Sequence, residues 1–295
     1  MTFTGLIGRI CMFPLRAIIN LCVALRIHPN ILTFVGVLIN AWAAVHLGRG
    51  EFIDAGVIMI VANIFDFIDG KVAVELGWVS KFGGFWDSVI DRFSDISLFI
   101  GLIYLYASRQ RVDYVMVASF AMMFALMTSY TRARAESLIS KCKVGFMERP
   151  ERIVLFMIGA FTNRMAGILW VILVLSIFTV ADRVILTWRI LEGKSEGKEG
   201  WRGAPLPGRM LWNAFFWTFE RATWQYDVMV IAILGFTWLV PPDWLNDPAA
   251  NDTGPIGWLL RSCASQLPFQ LPTTQDVLCG PGSWKLEVGS WEVSV

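Results

Sequence analysis

The sequence predicts an all-α integral membrane protein: a six-span helical bundle preceded by an interfacial amphipathic helix, with a seventh short apolar helix near the C-terminus left open. Three observations carry this. Hydrophobic residues make up 56% of the 295 and charged residues 17%, against about 45–50% and about 25% in an ordinary soluble domain. The apolar residues come in blocks approaching the ~20 that cross a bilayer core. Lys and Arg concentrate on alternate connections, as they do on the cytoplasmic side of membrane proteins. The near balance of 25 basic and 24 acidic residues excludes a nucleic-acid binder that relies on overall positive charge. The apolar content excludes a disordered chain. Five widely spaced cysteines without a CxxC pair support neither a zinc knuckle nor a redox motif. Only two histidines occur, His28 and His46, which argues against a His-rich metal site or a Ser-His-Asp triad.

Residues 1–27 scatter Arg9, Arg16 and Arg26 through an apolar background at roughly helical spacing, the pattern of a helix lying in the membrane interface. They show no small-residue cleavage site and do not read as a cleaved signal peptide. Four spans are expected over residues 30–47, 52–67, 85–107 and 114–130. The stretch 153–188 is too long for one crossing and is broken by Thr162-Asn163-Arg164, so it is divided into two spans joined by a tight turn. With the N-terminus inside, the cytoplasmic segments before the fifth span hold Arg9, Arg16, Arg26, Lys71, Lys81, Arg132, Arg134, Lys141, Lys143, Arg149 and Arg152. The opposite loops hold only Arg49, Arg109, Arg111 and Arg164. Residues 28–190 thus form the six-span domain, and residues 191–208, containing EGKSEGKEG, form a linker. Residues 209–242 are rich in aromatics and are expected to form interfacial or membrane helices. Residues 243–295 are expected to be a poorly ordered tail.

The chemistry lies in four aspartates. Asp66 and Asp69 are three apart and close one apolar helix; Asp87 and Asp91 are four apart and open the next. Each pair occupies one helix face, and a short connection makes the two helices antiparallel neighbours. All four carboxylates then converge at one depth, near the cytoplasmic surface. Carboxylates so crowded need cations, and ionisable groups within spans default to a functional role. An all-oxygen set suits Mg²⁺ or Mn²⁺, and two such ions clamp a phosphoryl displacement. Gly70 and Gly83 remove side chains where a bulky ligand must approach.

The spacing D-x2-D-G-x2-A-R-x8-G-x3-D-x3-D resembles the signature of the CDP-alcohol phosphotransferases, and residues 66–91 match it except at Val74, where the family carries arginine. The wider resemblance covers about residues 1–190. It implies a six-helix membrane bundle that displaces CMP from a CDP-linked lipid with an acceptor hydroxyl, using divalent metal, and that forms a homodimer. Carried over position by position, it implies Asp66, Asp69 and Asp87 as metal ligands and Asp91 as the general base that also touches the second metal. It implies Gly70 and Ser80 as nucleotide contacts, with Asn30 and Thr33 near the cytidine diphosphate. Gly83 lines the same CDP-lipid site, and Lys71, one helical turn before Val74, is the expected stand-in for the missing arginine.

Tyr130-Thr-Arg132-Ala-Arg134-Ala-Glu136 followed by Glu148-Arg149-Pro-Glu-Arg152 is similar to the phosphatidylinositol phosphate synthase subgroup and its archaeal-lipid counterparts. That resemblance implies inositol 1-phosphate as acceptor, its phosphate held by Arg132, Arg134, Arg149 and Arg152, since arginine pairs bidentately with phosphate. The expected partners are a CDP-lipid donor, a small phosphorylated alcohol and membrane lipid, with no nucleic acid. The expected location is a cell or inner membrane with the active site facing the cytoplasm. Glycerol 3-phosphate or another alcohol, a degenerate non-catalytic member marked by Val74, and a divalent cation transporter are the alternatives.

Overall fold

The computed structural model describes residues 15–140, 142, 144–193, 224–239, 245 and 247. Within them the chain is helical: α1 (Leu15–Ala24), α2 (Pro29–Arg49), α3 (Phe52–Glu75), α4 (Lys81–Ser108), α5 (Val112–Glu136), α6 (Arg149–Thr162), α7 (Met165–Leu191) and α8 (Trp224–Leu239). No strand occurs among the described residues. Residues 1–14 of the predicted interfacial helix, 194–208 of the linker, and all of 243–295 except 245 and 247 lie outside the described residues.

Local chemistry explains the boundaries. Pro29 opens α2, where its missing N–H costs nothing, and the ring of His28 caps it by accepting from the Asn30 amide at 3.2 Å. Gly50 ends α2 with φ 81°, a left-handed cap that favours glycine, and His46 Nδ1 lies 2.6 Å from Glu51 Oε2 across the turn. Ser80 caps α4 by accepting from the Gly83 amide at 2.9 Å. Asn163 ends α6 at φ 54°, so the break expected at residues 162–164 is a left-handed turn. The helices outrun the apolar blocks that announce them. α3 continues past Phe67 to Glu75, and α4 begins four residues before Phe85, at Lys81. The acidic segments are therefore helical. So are both ends of the basic stretch: Arg132 and Arg134 sit in the last turns of α5, Arg149 and Arg152 in the first turn of α6.

α2 to α7 run back and forth between two ends of a bundle. Small residues let them approach. A Cβ built on Gly101 of α4 would come within 2.3 Å of the Ala44 carbonyl oxygen of α2. On α3, one built on Gly56 would lie 3.0–3.3 Å from Phe161 and Ala160 of α6. α5 packs on α7, and its buried positions include Ala118, Ala121 and Ala125. Close backbone approach of this kind drives helix association where lipid removes the hydrophobic advantage of burial. The core around these seams includes Leu47, Met59, Leu98, Leu102, Ile168 and the edge-on pair Phe99–Phe156, with centroids 5.0 Å apart. The outer face of α2 shows Ile31, Phe34, Leu38 and Trp42, each about half exposed, as suits a lipid-facing surface. Three described helices, α2, α5 and α7, are long and apolar enough to cross a membrane. α1 lies against the aspartate end, with Ile19 and Cys22 packed among Leu32, Ile68 and Val72.

Candidate active site

The last three turns of α3 and the first three of α4 carry the aspartates. One carboxylate oxygen from each of Asp66, Asp69 and Asp87 falls within 4.8 Å of the others. Asp69 is 6% exposed, and the Thr33 hydroxyl of α2 donates to its Oδ2. That bond orients one carboxylate oxygen and leaves the other for a ligand. Three hard oxygen donors, one of them fixed from behind, fit a small divalent cation.

Asp91 stands apart from this trio. Its Oδ1 lies 2.9 Å from Arg149 Nη1, the same nitrogen that lies 2.8 Å from Asp66 Oδ2. Arg92 Nη1, which donates to the Ser88 carbonyl, is 3.7 Å from Asp91 Oδ2. Arg149 therefore links the first and last aspartates of the motif from the start of α6. Arginine at a helix N-terminus opposes the helix dipole, and these carboxylates offset that cost.

Asn30, Ser80 and Gly83 meet at the same end of the bundle. A Cβ on Gly83 would lie 3.1 Å from Ser80 Oγ and 3.9 Å from Asn30 Oδ1. A Cβ on Gly70 would meet nothing within 4 Å, so packing leaves open space at that position. Lys71 and Val74 are exposed on α3, Val74 at 66%, with Lys71 Nζ 5.5 Å from the centre of the Phe67 ring.

The four arginines separate. Arg134 is exposed, and its Nη1 reaches Ser137 Oγ at 3.4 Å. Arg132 pairs with Glu136 at 3.1 Å and Glu148 at 2.9 Å. Arg149 is half-buried among the aspartates. Arg152 is 2% exposed, and its guanidinium is taken up by Asp95 at 2.6 Å and Thr128 Oγ1 at 2.9 Å. The structure thus places Arg152 within the bundle and away from the open face. Four participants lie outside the sequence-based set: Asp95, Thr128, Glu148 and Arg183. Arg183 is 2% exposed, donates to the Thr128 and Val144 carbonyls, and lies 3.5 Å from Glu148 Oε1. The sequence carries a signal for two of the four. Asp95 extends the four-residue spacing of Asp87 and Asp91, and Arg183 is a charge inside an apolar run.

The family model for CDP-alcohol phosphatidyltransferase matches residues 26–190, more than half of the chain. An archaetidylinositol phosphate synthase of Pyrococcus horikoshii is 36% identical over 180 residues, covering 61% of this chain and 93% of that protein. A phosphatidylinositol phosphate synthase of Cutibacterium acnes is 33% identical over 139 residues, 46% of this chain and 67% of that one. The crystal structure of the Mycobacterium tuberculosis phosphatidylinositol phosphate synthase in complex with manganese and citrate superposes with a TM-score of 0.55 at 26% identity, over 58% of this chain and 88% of that chain. The same enzyme with CDP-DAG bound shares the fold at a TM-score of 0.56 and 24% identity, over 59% and 93%. The matched segment takes in α2 to α7 with all four aspartates, and the chain belongs to the CDP-alcohol phosphatidyltransferase family.

Proposed function

We propose that this enzyme transfers the phosphatidyl group of CDP-diacylglycerol, or a similar CDP-lipid, to inositol 1-phosphate and releases CMP. Metal-dependent transfer from a CDP-lipid to an alcohol is the family's reaction; the phosphorylated acceptor is the specific proposal. One observation carries it. Arg149, a phosphate-binding side chain, is ion-paired directly to Asp91 and Asp66, so an acceptor phosphate held there would keep its hydroxyl beside a carboxylate base. Relatives named for inositol phosphate synthesis support the same acceptor. The divalent-cation transporter alternative loses its ground with family membership.

In this mechanism Asp66, Asp69 and Asp87 would hold Mg²⁺ or Mn²⁺, with Asp91 reaching a second ion. Bound divalent metal supplies positive charge that stabilises the diphosphate and the departing CMP. Asp91 takes the acceptor hydroxyl proton as the new O–P bond forms and the P–O bond to CMP breaks. Thr33 orients Asp69. Gly70, Ser80, Gly83 and Asn30 form the floor for the nucleotide, and Lys71 supplies a point charge on the face that lacks the motif arginine. Arg149 and exposed Arg134 receive the acceptor phosphate, joined by Arg132, which is paired with Glu136 and Glu148. Arg152, enclosed by Asp95 and Thr128, serves that set by anchoring the first turn of α6.

We place the aspartate end on the cytoplasmic side, with α2 to α7 as six spans and α1 in the interface. The basic residues at that end support this orientation. A homodimer follows from the family resemblance. The test is CMP release by the purified protein in detergent with CDP-diacylglycerol and Mg²⁺ or Mn²⁺. Inositol 1-phosphate, glycerol 3-phosphate, free inositol and serine would be offered separately, with Asp91→Asn as the blank. Release that requires inositol 1-phosphate and vanishes in the blank is expected. Release with glycerol 3-phosphate or an unphosphorylated alcohol instead would overturn the acceptor assignment while keeping the reaction.

A further inference from the structure

We infer that Asp95 is a positioning residue for the acceptor arginines, a fifth aspartate that sets where the first turn of α6 presents Arg149. The inference rests on the acceptor-phosphate role proposed for Arg149. Asp95 lies one turn beyond Asp91 on α4, on the same face, and is 5% exposed. A buried carboxylate is costly unless paired, and both arginines of the α6 first turn supply its charge partners. Arg152 Nη2 donates to Oδ2 at 2.6 Å, and Arg149 Nε lies 3.7 Å from Oδ1.

The two contacts differ in kind. Arg152 is enclosed, held also by Thr128 of α5, and the Asp95–Arg152 pair pins α6 to α4 and α5. Arg149, three residues earlier on the same helix, keeps part of its guanidinium toward the open face, with its Nη1 between Asp66 and Asp91. Asp95 contacts both arginines. Its charge lies on the Nε side of Arg149, 3.7 Å from that nitrogen, while Nη1 on the other side of the fork faces the catalytic aspartates. Without that charge the guanidinium would keep its Nη1 contacts to Asp66 and Asp91 but lose the constraint at Nε on the plane of its fork. A bidentate phosphate contact depends on the orientation of the fork as well as its charge.

Asp95→Asn keeps the shape of the side chain and removes its charge. In the full-length protein, the expected result is a rise on the order of tenfold in KM for inositol 1-phosphate, about the value of one charge-assisted contact, with KM for CDP-diacylglycerol unchanged. Asp95→Glu should recover part of the loss. Asp95→Asn also leaves Arg152 buried without its partner, so Asp95→Asn/Arg152→Gln removes both charges of the pair and should show the same split between substrates if the single variant fails to fold. Equal changes in both KM values, or a lowered melting temperature with neither changed, would overturn the inference and leave Asp95 a purely structural residue. A wild-type enzyme that turns over only unphosphorylated alcohols would overturn the acceptor assignment, and the role of Asp95 with it. A wild type that requires inositol 1-phosphate, beside variants with unaltered acceptor KM, would overturn the role of Asp95 alone.

Discussion

At the scale of single residues, the site depends on how its aspartates are held by other helices. The Thr33 hydroxyl, from a helix 36 residues away in sequence, donates to Asp69. Removing a hydrogen-bond partner of a metal ligand typically weakens metal binding about 10–100-fold. Thr33→Val should therefore raise the Mn²⁺ concentration needed for half-maximal CMP release by roughly tenfold, while the rate at saturating metal stays close to wild type. An unchanged metal requirement would mean that Asp69 orients itself. Val74 makes a different point. At 66% exposure it can be replaced by arginine without displacing anything packed. Val74→Arg should lower KM for CDP-diacylglycerol, and Lys71→Ala should raise it, each about three- to tenfold, the range of one exposed-to-half-buried phosphate contact. If Lys71→Ala leaves donor KM untouched, the lysine does not stand in for the motif arginine.

At the scale of elements, the aspartates converge because α2, α3 and α4 pack closely enough to bring Thr33 to Asp69 and Ser94 to Asn40. α2 and α4 approach closely at Gly101, where any side chain would run into the Ala44 carbonyl. Gly101→Val should cost about 1–3 kcal/mol of stability through backbone displacement, read as a lower melting temperature in detergent. The same variant should lose activity out of proportion to its distance from the aspartates, because the seam sets the spacing of α2 and α4 along their whole length. A variant with wild-type melting behaviour would show that the helices separate there without penalty. α6 offers the complementary lesson. Its first turn holds two arginines where the helix dipole disfavours positive charge, and the carboxylates of α3 and α4 make that arrangement stable.

At the scale of the whole molecule, α6 serves as a ruler. Its 14 residues run from Arg149 beside the aspartates to Thr162 at the opposite end, about 21 Å at 1.5 Å per residue. α8 has 16 residues and packs Val230 and Ile233 against the main core. It ends at the far end, where Arg164 donates to the Thr237 carbonyl at 3.0 Å. Beyond it, Tyr114 donates to the Leu245 carbonyl and the Ala166 amide donates to Asp247 Oδ2 at 3.4 Å, both at the far end. α7 returns to the aspartate end before the linker; α8, at 16 residues, is shorter than the ~20 that cross a bilayer core, and a seventh crossing requires its two flanks to lie on opposite sides. Single cysteines at Gly193 and Asp247, in a background without the native cysteines, should then label from opposite sides of sealed vesicles. Labelling of both from one side would make α8 a re-entrant or interfacial helix.

Periodicity and spacing sufficed for much of this. The apolar blocks announced the helices, and i,i+3 and i,i+4 arithmetic put Asp66 with Asp69 and Asp87 with Asp91. The break at residues 162–164 announced a turn. Those are local consequences of helix geometry, and local geometry is written in a single stretch of chain. What spacing could not settle is which side chain from another helix meets which aspartate. Arg149 and Arg152 look equivalent in the sequence, three residues apart in one motif. Packing sends Arg149 to Asp66 and Asp91, across 83 and 58 residues of chain, and encloses Arg152 with Asp95 and Thr128. The tertiary structure decided that division because a buried charge goes where a partner waits, and the close approach of the small-residue seams fixes where the partners are.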